Sequence, residues 1–328
     1  MEITFRGVRE LELGPVWKAL FHRSWPPYEH WFLREGEAKR PGFMSCKMAL
    51  EKYLPEIVPT WERLVELSGG GDREARLLSL YRPTPYMAGC SQAVWQRDGR
   101  PLLVRNYDYF PERLEGTILM SAWNGVKTIV QSDCLWGVLD GMNEHGLAVS
   151  LAFGGRREVG DGFGIPLVLR AALELCTTAA EARELLARVP THMSYNVSAV
   201  DASGNYFTAY LAPDRPPHFD DDRVATNHQR EVEWEHHANA VRTEERYCFL
   251  SEKVADEAET AERFVQRFLE PPVFSQAYGK GFGTLYTAVY DPVGRAVEYR
   301  WRNHIWRQSF DEFDEGAVTI HYKDARGA

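Results

Sequence analysis

The sequence predicts an α+β protein. Two antiparallel sheets should pack face to face with helices on both outer surfaces, a four-layer αββα sandwich, behind a mainly helical N-terminal leader. Three observations carry this reading. Before residue 90, apolar residues recur at three- and four-residue spacing, the period of a helix. From residue 90 onward they alternate, the period of a strand. Blocks of strands then give way to pairs of helices twice before the chain ends. The 328 residues are enough for one large or two ordinary domains, and no repeat or low-complexity linker divides them. We therefore divide the chain into a leader, 1–89, and a sandwich domain, 90–328.

In the leader, Leu50, Leu54, Ile57, Trp61 and Leu64 mark a helix over 47–68. Pro55 and Pro59 should kink it or split it in two. Ser68-Gly69-Gly70-Gly71 stops it, and Pro83 and Pro85 force an extended approach to Cys90. Strands are expected at 91–96, 102–106, 117–122, 128–131, 136–142 and 147–153, with Asp98-Gly99 as the turn between the first two. Pro166 opens a helix at its tolerated first position, and Thr178-Ala179-Ala180-Glu181 is a capping box for the next. Strands return at 195–201 and 206–211, and a short one ends at Ala225-Thr226-Asn227. Helices over 235–253 and 257–269 follow, then strands at 284–290 and 296–301 joined by a turn at 291–294.

Composition narrows the partners. A net charge of −9 argues against a nucleic-acid groove and a polybasic membrane patch. No apolar run approaches the roughly 20 residues of a membrane helix, and no signal peptide is visible at the start. Five scattered cysteines with no CxxC pair read as reduced thiols in a cytoplasmic protein. The adjacent His236 and His237 diverge by about 100° on a helix and are no metal site. Gly154-Gly155 and the glycines of 160–164 lack the Lys-Ser/Thr of a phosphate loop and read as a mobile loop near the site. No metal or cofactor is expected.

Chemistry concentrates at Gly89-Cys90-Ser91, followed by Arg105-Asn106-Tyr107-Asp108. A cysteine at the start of a strand can be an N-terminal nucleophile. Cleavage of the Gly89–Cys90 bond frees an α-amine with a pKa of about 8, which accepts the thiol proton, so nucleophile and base are one residue. Arg105 and Asp108 are three apart and point to opposite faces of a regular strand, so one site can hold both only with a bulge or at a strand end. Asn227, just past a strand, reads as a turn former or as a side-chain donor to an oxyanion. Arg246, in Thr243-Glu244-Glu245-Arg246-Tyr247, reads on its own as a solvated or ion-paired helix residue.

Taken together, these motifs resemble the N-terminal-nucleophile (Ntn) hydrolases, in particular the isopenicillin N acyltransferase family and, more distantly, the choloylglycine hydrolases. The resemblance rests on Leu54-Pro55-Glu56-Ile57 in the leader, Cys90, Arg105 to Asp108, Gly141-Met142-Asn143-Glu144-His145-Gly146-Leu147, Thr226-Asn227 and Arg246, in that order. It implies an Ntn αββα fold, a propeptide-like, zymogen-forming leader and self-cleavage at Gly89–Cys90. It also implies hydrolysis or transfer of an acyl group on a small linear N-acyl amide. In that scheme Cys90 attacks, Asp108 and Arg105 hold it, Asn227 and backbone amides stabilise the oxyanion, and Arg246 supports the site or a substrate carboxylate. The relatives carry a second oxyanion asparagine where this chain has Ser150-Leu151-Ala152-Phe153-Gly154, so a backbone amide is the expected replacement. The alternative reading is a non-catalytic small-molecule-binding protein on the same fold, its leader uncleaved over the pocket. The oligomeric state is open at this stage.

Overall fold

Two sheets face each other in the computed structural model, which describes residues 1–97 and 99–323. The leader holds strand β1 (Glu2–Glu10) and helices α1 (Pro15–Phe32), α2 (Phe43–Tyr53), α3 (Val58–Ser68) and α4 (Asp72–Leu78). Strands β2 (Gly89–Arg97), β3 (Arg100–Tyr109), β4 (Thr117–Ser121), β5 (Thr128–Asp133), β6 (Gly137–Asn143) and β7 (Ala148–Phe153) follow. Helices α5 (Ile165–Leu175) and α6 (Ala179–Arg188) precede β8 (Tyr195–Val200), β9 (Tyr206–Ala212), β10 (Arg215–Asp220) and β11 (Val224–Ala225). After α7 (Glu235–Val241), α8 (Thr243–Ala255) and α9 (Ala261–Arg267) come β12 (Gly283–Asp291), β13 (Ala296–Trp301), β14 (His304–Ser309) and β15 (Ala317–His321).

Among the described residues, the larger sheet runs β10-β9-β8-β7-β6-β5-β4-β1-β15 and the smaller β11-β2-β3-β12-β13-β14. Every neighbouring pair is antiparallel except β1 and β4. That exception comes from the leader: β1 lies between β4 and β15, hydrogen-bonded on both sides. The helices α5 and α6 cover the larger sheet, and α8 packs on β2 and β11 of the smaller one. Leu250 of α8 and Phe264, Val265 and Phe268 in and after α9 meet Ala93, Trp95 and Val104 in a core of their own. The main core lies between the sheets, where β2 and β3 face β7 and β8. This is the expected αββα sandwich.

Local signals explain most elements. Glu181 and Thr178 form the capping box of α6, and Pro166 sits in the first turn of α5. The helix expected over 47–68 is divided into α2 and α3 by a turn at Pro55, and α3 ends at Gly69 with φ +111°. The helix expected over 235–253 is also two, because Arg242 takes a left-handed φ of +52° between α7 and α8. Asp98, the first residue of the β2–β3 turn, lies outside the described residues. The leader is packed rather than appended. Trp17, Phe21, Phe32 and Trp61 are buried in a cluster continuous with the main core, at about 1.5–3 kcal/mol each. Indole N–H groups also cross the boundary: Trp17 donates to Leu135 O and Trp136 to Leu78 O, both at 2.9 Å.

Candidate active site around Cys90

The chain enters β2 through Ala88-Gly89, and the β2–β3 register decides what surrounds Cys90. Gly89 lies opposite Asp108, Cys90 opposite Tyr107, Ser91 opposite Asn106 and Gln92 opposite Arg105. Side chains alternate, so Cys90, Gln92, Arg105 and Tyr107 face the larger sheet while Ser91, Asn106 and Asp108 face the outer helices. Arg105 and Asp108 therefore reach Cys90 from opposite sides, at the start of β2 and the end of β3.

A bulge on the neighbouring strand serves both. The β12 register shifts between Thr284, opposite Asp108, and Tyr286, opposite Tyr107. The extra residue, Leu285, turns two residues that would share a face onto opposite ones. Thr284 Oγ1 thus donates to Asp108 Oδ1 at 2.6 Å, and Tyr286 Oη reaches the Arg105 side, 2.6 Å from Asp140 Oδ2.

On the inner side, the Arg105 guanidinium is fully buried, and each of its three nitrogens donates a hydrogen bond. Nε donates to Leu151 O at 3.0 Å, Nη1 to Asp140 and to Tyr286 Oη, and Nη2 to Cys90 Sγ at 3.3 Å. Asp140 also accepts from Tyr290 Oη at 2.5 Å. Burial pushes the Cys90 thiol above its ordinary pKa, and the Arg105 charge opposes that rise. Cys90 is completely buried in the continuous chain.

On the outer side, Arg246 leaves the first turns of α8 and points inward. It donates to Cys90 O at 2.7 Å, Ser91 Oγ at 2.6 Å and Asn227 Oδ1 at 2.8 Å, with Asp108 Oδ2 3.6 Å away. Its side chain is buried, so of the two expected readings the solvated one fails and the ion-paired one fits, with Asp108 as the partner. Burial raises the Asp108 pKa, and Arg246 is the strongest influence against it.

Asn227 Oδ1 accepts from the Cys90 N–H at 2.9 Å, while Nδ2 donates to Phe153 O at 3.1 Å and Ala88 O at 3.3 Å. The amide orientation follows from the neighbours, since two donors face one end and two carbonyls the other. In the continuous chain its donor end is thus taken by backbone carbonyls, one of them in the leader. The Asn227 loop is pinned by Thr243, whose buried hydroxyl accepts from Asn227 N at 2.7 Å. Gly155, with φ +72°, lets the glycine-rich loop approach so closely that a Cβ there would lie 2.3 Å from Asn227 O.

The five residues expected at the site thus meet around Cys90. Sequence reasoning missed Asp140, Tyr286, Ser91, Thr284 and Thr243. Only Asp140 carried a local signal, an acid between Val138-Leu139 and Gly141-Met142 in the strand Gly137–Asn143. His237 sits instead between Phe153 and Trp234, its pKa lowered to about 4 by burial. Among the described residues, no cluster of metal-ligating side chains occurs.

Residues 95–306 match the family model of acyl-coenzyme A:6-aminopenicillanic acid acyl-transferase. The chain belongs to that family. The stretch that matches the acyl-transferase model starts just after Cys90 and contains Arg105, Asp108, Asn227 and Arg246. No curated protein matches the chain in sequence. Among solved structures, the chain is similar to penicillin V acylase from Agrobacterium tumefaciens at 16% identity and a TM-score of 0.48, over 68% of this chain and 86% of that one. The N-acylethanolamine-hydrolyzing acid amidase ortholog of Caenorhabditis elegans gives 16% and 0.48, over 71% and 100%. A mutant of conjugated bile acid hydrolase from Clostridium perfringens gives 13% and 0.41, over 72% and 97%.

Proposed function

We propose that this chain is the precursor of a cysteine amidohydrolase that cleaves small linear N-acyl amides through a Cys90 acyl-enzyme. The acyl-transferase family supports acyl chemistry on an amide. The observation that carries the finer reading is that both reactive atoms of Cys90 are held by fixed, buried groups: Sγ by Arg105 at 3.3 Å and N by Asn227 at 2.9 Å.

Processing begins when Cys90 Sγ attacks the Gly89 carbonyl carbon. The C–N bond breaks, the thiol proton passes to the leaving nitrogen, and Gly89 becomes a thioester on Cys90. Water hydrolyses the thioester, which releases the Gly89 carboxylate, the free thiol and the new α-amine. In turnover that amine takes the thiol proton, and the thiolate attacks the acyl carbonyl of the substrate. The amine, now an ammonium, returns the proton to the leaving nitrogen. Water then frees the acid, or an acceptor amine takes the acyl group.

Arg105 steadies the thiolate. Arg246, with Asp108 beside it, fixes the Cys90 carbonyl, and Asn227 Oδ1 orients the α-amine. Departure of Ala88 frees Asn227 Nδ2 to donate to the oxyanion. A reducing compartment, the cytoplasm, keeps such a thiol competent and belongs to this proposal. The complete burial of Cys90 favours the alternative, an uncleaved binding protein, for as long as the leader stays joined.

Iodoacetamide labelling mapped by peptide mass separates the two readings. Cys90 should resist labelling in the precursor and react after processing, with loss of amide hydrolysis in step. A processed protein whose Cys90 is labelled without loss of hydrolysis contradicts the assignment.

A further inference from the structure

Gly89 carries the carbonyl that faces the Cys90 thiol along the chain, and it is closely confined. Its φ is not in the left-handed region, so backbone strain does not call for a glycine there. Space does. Gly89 is paired with Asp108 in register, so a side chain at 89 would share the outer face with Asp108. A Cβ on Gly89 would lie 3.0 Å from Asp108 Cβ, 3.0 Å from Phe282 Cζ and 3.3 Å from Phe282 Cε1. Carbon atoms in contact settle at about 3.5–4.0 Å.

Neither wall gives way cheaply. Asp108 Cβ stands on a paired strand, and its carboxyl accepts from Thr284 Oγ1 at 2.6 Å. The half-buried Phe282 ring meets Phe110 edge-on, with centroids 5.5 Å apart. Phe110 in turn has the Arg113 guanidinium over its ring at 4.7 Å and Tyr109 at its edge. The backbone behind the ring is fixed as well. Phe282 N donates to Ala277 O at 3.2 Å, and Gly283 lies so close to Tyr278 that a Cβ there would be 2.4 Å from Tyr278 Cε1.

We propose that Asp108 Cβ and the Phe282 ring decide which acyl groups Cys90 accepts: those whose carbon next to the carbonyl is an unbranched CH2. This specificity rests on the nucleophile assigned to Cys90 above. Processing and turnover then both pass through a thioester on Cys90 Sγ, and a thioester carbonyl is planar. Arg105 sets the sulphur and Asn227 the oxygen, which leaves one direction for the carbon attached to the carbonyl. That carbon is Gly89 Cα in processing and the acyl α-carbon in turnover. Gly89 Cα is itself a CH2. An acyl group with no hydrogen on this carbon drives a methyl against Asp108 and Phe282 whichever way it turns.

The test compares 4-nitrophenyl butanoate with 4-nitrophenyl 2,2-dimethylbutanoate. Cys90 Sγ displaces 4-nitrophenolate from either ester, and the α-amine takes the thiol proton. Release by the processed protein, less that of the Cys90→Ala chain, counts acyl transfer to Cys90. Dividing each rate by the rate with free cysteine removes the intrinsic difference between the esters. The butanoate should then lead by at least roughly ten-fold, the effect of one overpacked methyl. Phe282→Ala should bring the two within about three-fold of one another, since it vacates the space of the ring. In the precursor, Gly89→Ala should slow cleavage at least roughly ten-fold by intact mass, and adding Phe282→Ala should restore part of that rate. Residues 90–328 are unchanged in Gly89→Ala, so its cut fraction should take butanoate as wild type does. Equal normalised rates in wild type overturn the proposal, as does a preference that survives Phe282→Ala or a Gly89→Ala chain cut at the wild-type rate. If butanoate gives no release that depends on Cys90, the nucleophile reading has failed and this specificity goes with it.

Discussion

Replacing Arg246 with Met should be among the most damaging single changes in the site. The substitution keeps most of the volume and removes a cation that serves Cys90 O, Ser91 Oγ and Asn227 Oδ1 at 2.6–2.8 Å. It also leaves Asp108 buried beside Thr284 without its nearest countercharge. Removing one partner of a buried pair costs about 3–5 kcal/mol, against a total stability of roughly 5–15 kcal/mol. The sign of the pH dependence follows. Burial already raises the Asp108 pKa in the folded chain, and the loss of Arg246 raises it further. The folded variant then holds a proton that the unfolded chain gives up, so its stability falls as pH rises. Urea unfolding followed by tryptophan fluorescence, in a Cys90→Ala background that keeps one chain, should show a larger deficit at pH 8 than at pH 5. Asp108→Asn should recover part of the deficit in the double variant. A loss below about 1 kcal/mol, or one that is equal at both pH values, would refute the reasoning.

Three further outcomes are expected. Because Asp133 titrates at about 7 in the fold against an ordinary 3.8, its contribution weakens as pH rises through that interval; wild-type urea midpoints should fall between pH 5 and pH 8, and Asp133→Asn should fall less. Because β1 is hydrogen-bonded to both β4 and β15, the cleaved leader should co-elute with residues 90–328 in native gel filtration and part from them only in denaturant; a leader that elutes alone contradicts the pairing. Gly155→Ala puts a Cβ 2.3 Å from Asn227 O at a φ of +72°; it should cost about 1–3 kcal/mol and slow processing, as read by mass over time.

The sandwich was legible because from Cys90 onward its strands carry a two-residue period and two of its helices carry start signals, Pro166 at α5 and the capping box at α6. What escaped follows from the physics of edges and partners. Pro216 and Pro217 argue against a strand, yet β10 is an edge of the larger sheet, where a missing N–H is tolerated. β1 alternates only weakly, with Phe5 buried among partly exposed neighbours, and gains its stability from strands distant in sequence. The outermost strands β14 and β15 are half exposed and equally quiet. At the site, Cys90, Arg105, Asp108, Asn227 and Arg246 could be named from their order along the chain. Their geometry could not, because it depends on a bulge at Leu285 that no local signal marks. Arg246 looked solvated because Glu244 and Glu245 beside it are, and only the break at Arg242 sets the direction in which α8 aims it. Asn227 was expected as an oxyanion donor. In the continuous chain its donor faces Ala88 and Phe153 instead, an arrangement that depends on the leader being in place.

The central claim is that Cys90 cuts the chain before itself. Intact mass spectrometry of the purified protein beside its Cys90→Ala variant tests it most directly. The expected result is a wild type divided into residues 1–89 and 90–328 and a variant that stays whole. A wild type that remains one chain across pH and time, or a variant cut at the same bond, would contradict it.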